Sequence, residues 1–225
     1  MKKLLMAAAG AAALTFAAAP ADALVYIGYS INGGSITQVA SGATSASVSQ
    51  LAIGGANGFT LSAQGDAFLP YPELLDSTSI DVKRGTGAGT LDVYVTRDNL
   101  TTNYSPATFL SSFGITRMTT GWNVTLATYV DDNNGKFTTS GAGVFNTASN
   151  NFTSLGALAV NGYAPVTGTY SVTERYTIHA TGAGQSNSAI NMTAVPEPAS
   201  WAMMITGFGF MGALMRRRRS AMATA

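Results

Sequence analysis

Trp122-Asn123-Val124-Thr125-Leu126-Ala127-Thr128-Tyr129-Val130 carries Trp122, Val124, Leu126 and Val130 in phase, at a two-residue period. Successive side chains of an extended chain point to opposite faces, so this period reads as a strand with one face in a core. The pattern recurs on both sides. In residues 90–96, Leu91, Val93 and Val95 share a face, and in residues 170–180 Tyr170, Val172, Tyr176 and Ile178 do. Residues 24–31, 47–53, 59–63, 79–83 and 188–194 are shorter strand candidates. Turn-forming clusters separate them: Asn32-Gly33-Gly34, residues 54–58 and Asp131-Asp132-Asn133-Asn134-Gly135. Residues 106–113 are the one stretch of the body that reads as a short helix. Short alternating strands with polar turns predict an all-β fold, an antiparallel β-sandwich or jelly roll, over residues 24–194.

Both ends differ from this body. Lys2 and Lys3 precede an apolar run over residues 4–19, and Ala21-Asp22-Ala23 is a small-x-small cleavage site. Residues 1–23 therefore read as a signal peptide, with signal peptidase cutting between Ala23 and Leu24 during export. Ala17-Ala18-Ala19 competes, but Pro20 directly after it blocks cleavage there. The chain has no cysteine, which excludes a lipoprotein anchor and disulfide staples.

At the other end, Val195-Pro196-Glu197-Pro198 leads into residues 199–215, a stretch with no charged side chain, and then into Arg216, Arg217, Arg218 and Arg219. As a helix, those 17 residues span about 25 Å, just short of a hydrocarbon core of about 30 Å. Trp201 at one interface and snorkelling arginines at the other extend the reach. The basic run acts as a stop-transfer signal that stays cytoplasmic, so the body lies outside the inner membrane. Gly207, Gly209 and Gly212 spell G-x-G-x-x-G, but no strand precedes them and no acidic ribose partner follows. They read instead as a small-residue helix face.

The order Pro196-Glu197-Pro198, Trp201-Ala202, apolar run and arginine cluster resembles the PEP-CTERM sorting signal, in its variant with Trp-Ala after the triplet. The resemblance spans residues 195–220, with residues 221–225 a short tail. It implies recognition by exosortase, an integral-membrane transpeptidase-like protease of Gram-negative bacteria that make extracellular polysaccharide. Pro196, Glu197, Pro198 and Trp201 are then recognition residues of a substrate. The two prolines suit that role, because they hold the backbone extended and open to a protease. Residues 169–178 are also similar to a segment of uncharacterised exported proteins bearing this tail, which supports a fold and no activity.

The body offers little chemistry. Its basic residues are Lys83, Arg84, Arg97, Arg117, Lys136 and Arg175, six against nine acidic ones, which disfavours nucleic-acid binding. His179 is the only histidine and falls on the polar face of its strand. With no cysteine, that excludes ordinary zinc sites and Cys-His nucleophiles, and there is no G-x-S-x-G elbow. Glu174 shares a face with Tyr170, Val172 and Tyr176. It is either a base or sugar-binding group in an aromatic-lined groove, or an edge-strand charge, or one half of an ion pair with an arginine such as Arg117. Trp122 is a second candidate ligand contact. The oxygen-rich residues 131–135 suit calcium, but their spacing departs from D-x-[DN]-x-[DN]-G, which favours a hairpin turn.

The expectation is an exported, non-enzymatic protein without catalytic, cofactor or metal residues, tethered to the inner membrane before processing. Afterwards it acts at the cell surface or in extracellular polysaccharide. A carbohydrate-binding jelly-roll module is the alternative, and a glycan hydrolase using Glu174 and an aspartate is a third reading.

Overall fold

The alternating segments pair into two six-stranded sheets. The computed structural model describes residues 23–55, 58–67, 73–101, 107–195 and 204–211. In chain order the strands are β1 (Val25–Ile31), β2 (Thr37–Gly42), β3 (Ser45–Ile53), β4 (Phe59–Asp66), β5 (Glu73–Arg84) and β6 (Gly89–Thr101). They continue as β7 (Ala107–Met118), β8 (Asn123–Asp131), β9 (Val144–Phe152), β10 (Gly156–Ala164), β11 (Thr169–Ala180) and β12 (Gly184–Val195). Sheet A has the order β2-β1-β6-β11-β8-β9, and sheet B the order β10-β7-β12-β5-β4-β3. All ladders are antiparallel. Residues 204–211 form a short helix, α1.

The arrangement is a β-sandwich. The in-phase residues of the sequence are its core: Trp122, Val124, Leu126 and Val130 are buried, as are Leu91, Val93 and Val95. Phe109 of sheet B meets Tyr170 of sheet A edge-on, with ring centroids 6.2 Å apart. At Gly65 the sheets approach so closely that a Cβ would lie 2.4 Å from Val95 Cγ1. β2 and β3 are consecutive in the chain yet edge different sheets, and so do β9 and β10. Each open side of the sandwich is thus bridged by one short connection. At the second bridge, Gly162 lets β10 pass against the Thr147 carbonyl of β9.

The helix expected over residues 106–113 is corrected. Its described part belongs to β7, a 12-residue strand. Phe109, Ser111, Phe113 and Ile115 alternate and are all buried. Ser111 hides this period in the sequence, because a serine reads as a solvent position. In the fold its hydroxyl bonds Thr128 Oγ1 at 2.7 Å across the core. β2, β9 and β10 also lack a clean apolar alternation, and each edges a sheet, where few of its side chains are buried.

On β6 both faces are buried, from Leu91 to Asp98. The cause is the loop of residues 132–143 between β8 and β9, which folds over the outer face of sheet A. Phe137 packs edge-on to Tyr94 and Tyr26 at 6.1 and 6.5 Å, and its N–H donates to Thr96 Oγ1 at 3.2 Å. Lys136 Nζ lies 3.8 Å from the centroid of Tyr26.

Candidate functional site

Glu174 occupies the centre of β11, which runs between β6 and β8 in the middle of sheet A. It is not an edge charge and it does not pair with Arg117. Its side chain is 0% exposed and faces sheet B, where the Ser77 hydroxyl donates to Oε2. Ser77 Oγ also meets Tyr176 OH, which donates to the Ser77 carbonyl at 3.1 Å. Glu174 Oε1 has no hydrogen-bond partner among the described residues. Burial pushes the Glu174 carboxyl well above the usual carboxylate range, against the opposing pull of the Ser77 hydrogen bond. Burial, with the Glu174 charge second, likewise raises Tyr176. The result is a carboxyl group enclosed between the sheets, where burial disfavours its charged form, and not one presented in a groove.

Trp122, 2% exposed, is likewise in the core, so neither candidate ligand contact is offered to a molecule on the surface. The aromatic phase that made Glu174 conspicuous in the sequence is the phase of the core itself. His179 is exposed as read, and its Nδ1 lies 2.9 Å from Thr90 Oγ1. Residues 131–135 open the β8–β9 hairpin loop. Asp131 Oδ1 accepts from Asn133 N at 2.9 Å and Asn133 Nδ2 at 3.2 Å, and Oδ2 accepts from Gly135 N at 3.0 Å. Asp132 is taken by Thr167, through N at 2.8 Å and Oγ1 at 3.1 Å. The carboxylate oxygens that suited a cation therefore already accept loop and side-chain donors.

The sorting residues stand differently. β12 is flanked by β7 and β5, and its ladder to β7 runs to Val195, opposite Thr108. The body thus ends one residue before the Pro-Glu-Pro triplet. Pro196, Glu197, Pro198, Trp201 and Arg216 to Arg219 lie outside the described residues, as does Ala21 of the signal-peptidase site. Of the apolar run, α1 is described: Met204, Ile205, Phe208, Phe210 and Met211 are 51–74% exposed, so this helix does not bury its apolar side chains in the sandwich. No described helix is long and apolar enough to cross a membrane. At the other end, Leu24 N donates to Asp98 Oδ1 at 3.0 Å and Asp98 N to Leu24 O at 3.1 Å, just before β1 begins.

An all-β body with a chemically distinct C-terminal extension defines the class: a sandwich domain carrying an addressable tail. Residues 194–219 match the PEP-CTERM protein-sorting motif. The chain therefore carries that motif, and with it the implication of exosortase-dependent sorting of an exported protein, with membrane-associated processing in Gram-negative bacteria. The match covers 26 of 225 residues and starts inside β12, so it assigns the tail and leaves the body's chemistry open. The chain gives no match among curated proteins.

Proposed function

We propose that the mature protein is a non-enzymatic component of the cell envelope or of the extracellular polysaccharide matrix, delivered as an exosortase substrate. A leader over residues 1–23 is removed at Ala23–Leu24, the tail over residues 195–220 holds the precursor in the inner membrane, and exosortase acts near Pro196–Glu197–Pro198. The observation that carries this is the seat of the motif. The last strand pairing ends at Val195, and the triplet follows at once, so cutting there removes the address and leaves both sheets whole.

The absence of a catalytic role, of a cofactor and of calcium is part of the proposal. It is supported by the enclosure of Glu174, on which a hydrolase would depend, and by the hydrogen bonds already made to Asp131 and Asp132. The test is deletion of Pro196 to Pro198 in the native host. The expected result is an unprocessed form retained in the inner membrane, read by fractionation and intact mass. A deletion variant with the location and mass of the parent protein overturns the sorting assignment.

A further inference from the structure

The outer face of sheet B carries a transverse row that runs Gln50, Ser62, Asp81, Asn187, Arg117 over five adjacent strands. Ser62 pairs with Asp81, Asp81 with Asn187, and Asn187 with Arg117. Gln50 N donates to Ser62 Oγ at 3.0 Å. Each of the four ladders crossed by this row shifts register beside it: between Val48 and Leu51, after Ser62, after Ser188 and after Asn187. A bulge re-aims side chains and bends its strand, and bulges gather next to functional sites. Here three meet on one line, in β3, β5 and β7, the extra residue of β5 shifting both of its ladders. Two non-glycine residues hold positive φ in the same place, Gln50 at 49° and Ser79 at 72°.

The bulges leave a depression of about 540 Å³ lined by Ser62, Ser79, Asp81, Thr116, Arg117 and Asn187. A smaller one of about 260 Å³ adjoins it through Ser62 and Asp81 and reaches Lys83. The larger volume is in the range of small-ligand sites. Its lining is hydroxyl, amide, carboxylate and guanidinium. Thr116 Oγ1 donates to Asn187 Oδ1 at 2.6 Å, which leaves the Asn187 amide nitrogen to donate elsewhere. Asp81 Oδ1 is shielded and has no partner among the described residues, while Oδ2 sits 3.9 Å from Lys83 Nζ.

Charge decides the ligand class. Four of the six basic residues of the body are engaged elsewhere. Arg84 donates to the carbonyls of Thr86, Gly87 and Ala88, Arg97 to the Leu74 carbonyl, Arg175 grips Asp92, and Lys136 covers Tyr26. Of the remaining two, Arg117 lines the larger depression and makes no ion pair with any described residue, and Lys83 lines the adjoining smaller one beside Asp81.

We propose that the depression binds an acidic saccharide, a uronic-acid unit of a polysaccharide. Arg117 and Lys83 take the sugar carboxylate. Asp81 and Asn187 take ring hydroxyls, and the serine and threonine hydroxyls complete the set. This deepens the matrix-associated reading above by giving it a ligand class and a site.

The test is calorimetric titration of the full-length chain, held in a sugar-free polyoxyethylene detergent, with oligogalacturonate, and with dextran as the neutral comparison. Oligogalacturonate binds and dextran does not. Affinity falls about tenfold or more in Arg117→Ala. It also weakens as ionic strength rises from about 0.02 to about 0.2 M. Unchanged melting temperatures show that the surface variants are folded, and Asn187→Ala gives an independent third reading. No binding, equal affinity for dextran, or undiminished binding by Arg117→Ala overturns the proposal. None of these outcomes bears on sorting, which is read by location and mass.

Discussion

The Ser77 hydroxyl of β5 donates to Oε2 of Glu174 on β11, so a carboxyl group sunk between the sheets ties one to the other. Burial, the largest influence, raises the acid well above its ordinary range, the Ser77 bond opposes this, and the charge of Asp76 adds to it. A raised carboxyl pKa means that the folded state binds the proton more tightly than the unfolded chain. This contribution to stability is complete below the unfolded carboxyl pKa, about 4.3, and is lost as pH rises from there through the folded value. The protein should therefore lose stability from about pH 5 upwards, by at most about 1.4 kcal/mol per pH unit for one proton. Glu174→Gln keeps the shape without the titration. Its melting temperature should equal or exceed that of the parent at high pH and lose this slope. Parallel pH profiles for the two proteins would show that Glu174 does not titrate in this way.

Leu24 and Asp98 give a second expectation. In the uncut chain the Leu24 nitrogen is an amide donor to Asp98 Oδ1 at 3.0 Å, and Asp98 is 5% exposed. Cleavage at Ala23–Leu24 turns that nitrogen into an ammonium at the same place, and a charged hydrogen bond is worth about 1.5–3 kcal/mol where a neutral one gives about 1. Asp98→Asn should accordingly destabilise a chain beginning at Leu24 more than it destabilises a chain that retains the leader. Denaturant midpoints of the four proteins form the cycle. Equal losses in both backgrounds would mean that the new terminus does not pair with Asp98.

Asp131 holds the loop that covers sheet A. Its carboxylate takes three donors from Asn133 and Gly135, and the chain then carries Phe137 onto Tyr94 and Tyr26. Asp131→Ala leaves the N–H groups of Asn133 and Gly135 without their acceptor; Asn133 is exposed and Gly135 half-buried, so water replaces part of the loss and the cost is about 1 kcal/mol. Hydrogen exchange should quicken over residues 132–143 and at the newly uncovered amides of β6. The core strand β12 should keep its protection. Faster exchange spread evenly over both sheets would assign Asp131 to global stability rather than to the loop.

These relationships mark where the sequence was readable. Strands that send large apolar side chains inward, such as Trp122 to Val130, show their period plainly, because nothing polar interrupts the buried face. β7 was hidden by Ser111, a core position filled by a hydroxyl whose partner, Thr128, lies 17 residues away. β10 was hidden because most of its side chains are exposed, so no alternation was required of it. Glu174 was correctly placed on the inward face, but only the opposite sheet could reveal that this face is closed by Ser77. The depression on sheet B had no signal in the sequence at all. Its residues come from four strands, and bulges align them, a property of register rather than of composition. The tail was legible because its chemistry is local: order along the chain is what a sorting protease reads.

The seat of the tail leads to a last expectation. β12 pairs on both sides, with β5 and β7, and its final pair is Val195 with Thr108. The described residues beyond it, in α1, have their large apolar side chains 51–74% exposed, so they bury little surface against the body. A chain of residues 24–195 should then match the full-length protein in unfolding free energy to within about 0.5 kcal/mol, with the same denaturant slope, since that slope follows the surface buried on folding. Ending the chain before β12 removes the strand between β5 and β7, along with Ile190, Met192 and Ala194 from the core, and should abolish cooperative unfolding. The contrast is what a processed substrate requires: a body that does not depend on its address, with the Pro196–Glu197–Pro198 triplet directly after the last strand residue. A lower slope or a broadened transition for residues 24–195 would show that the tail is part of the fold, and cleavage at the triplet would then be a step in unfolding rather than delivery.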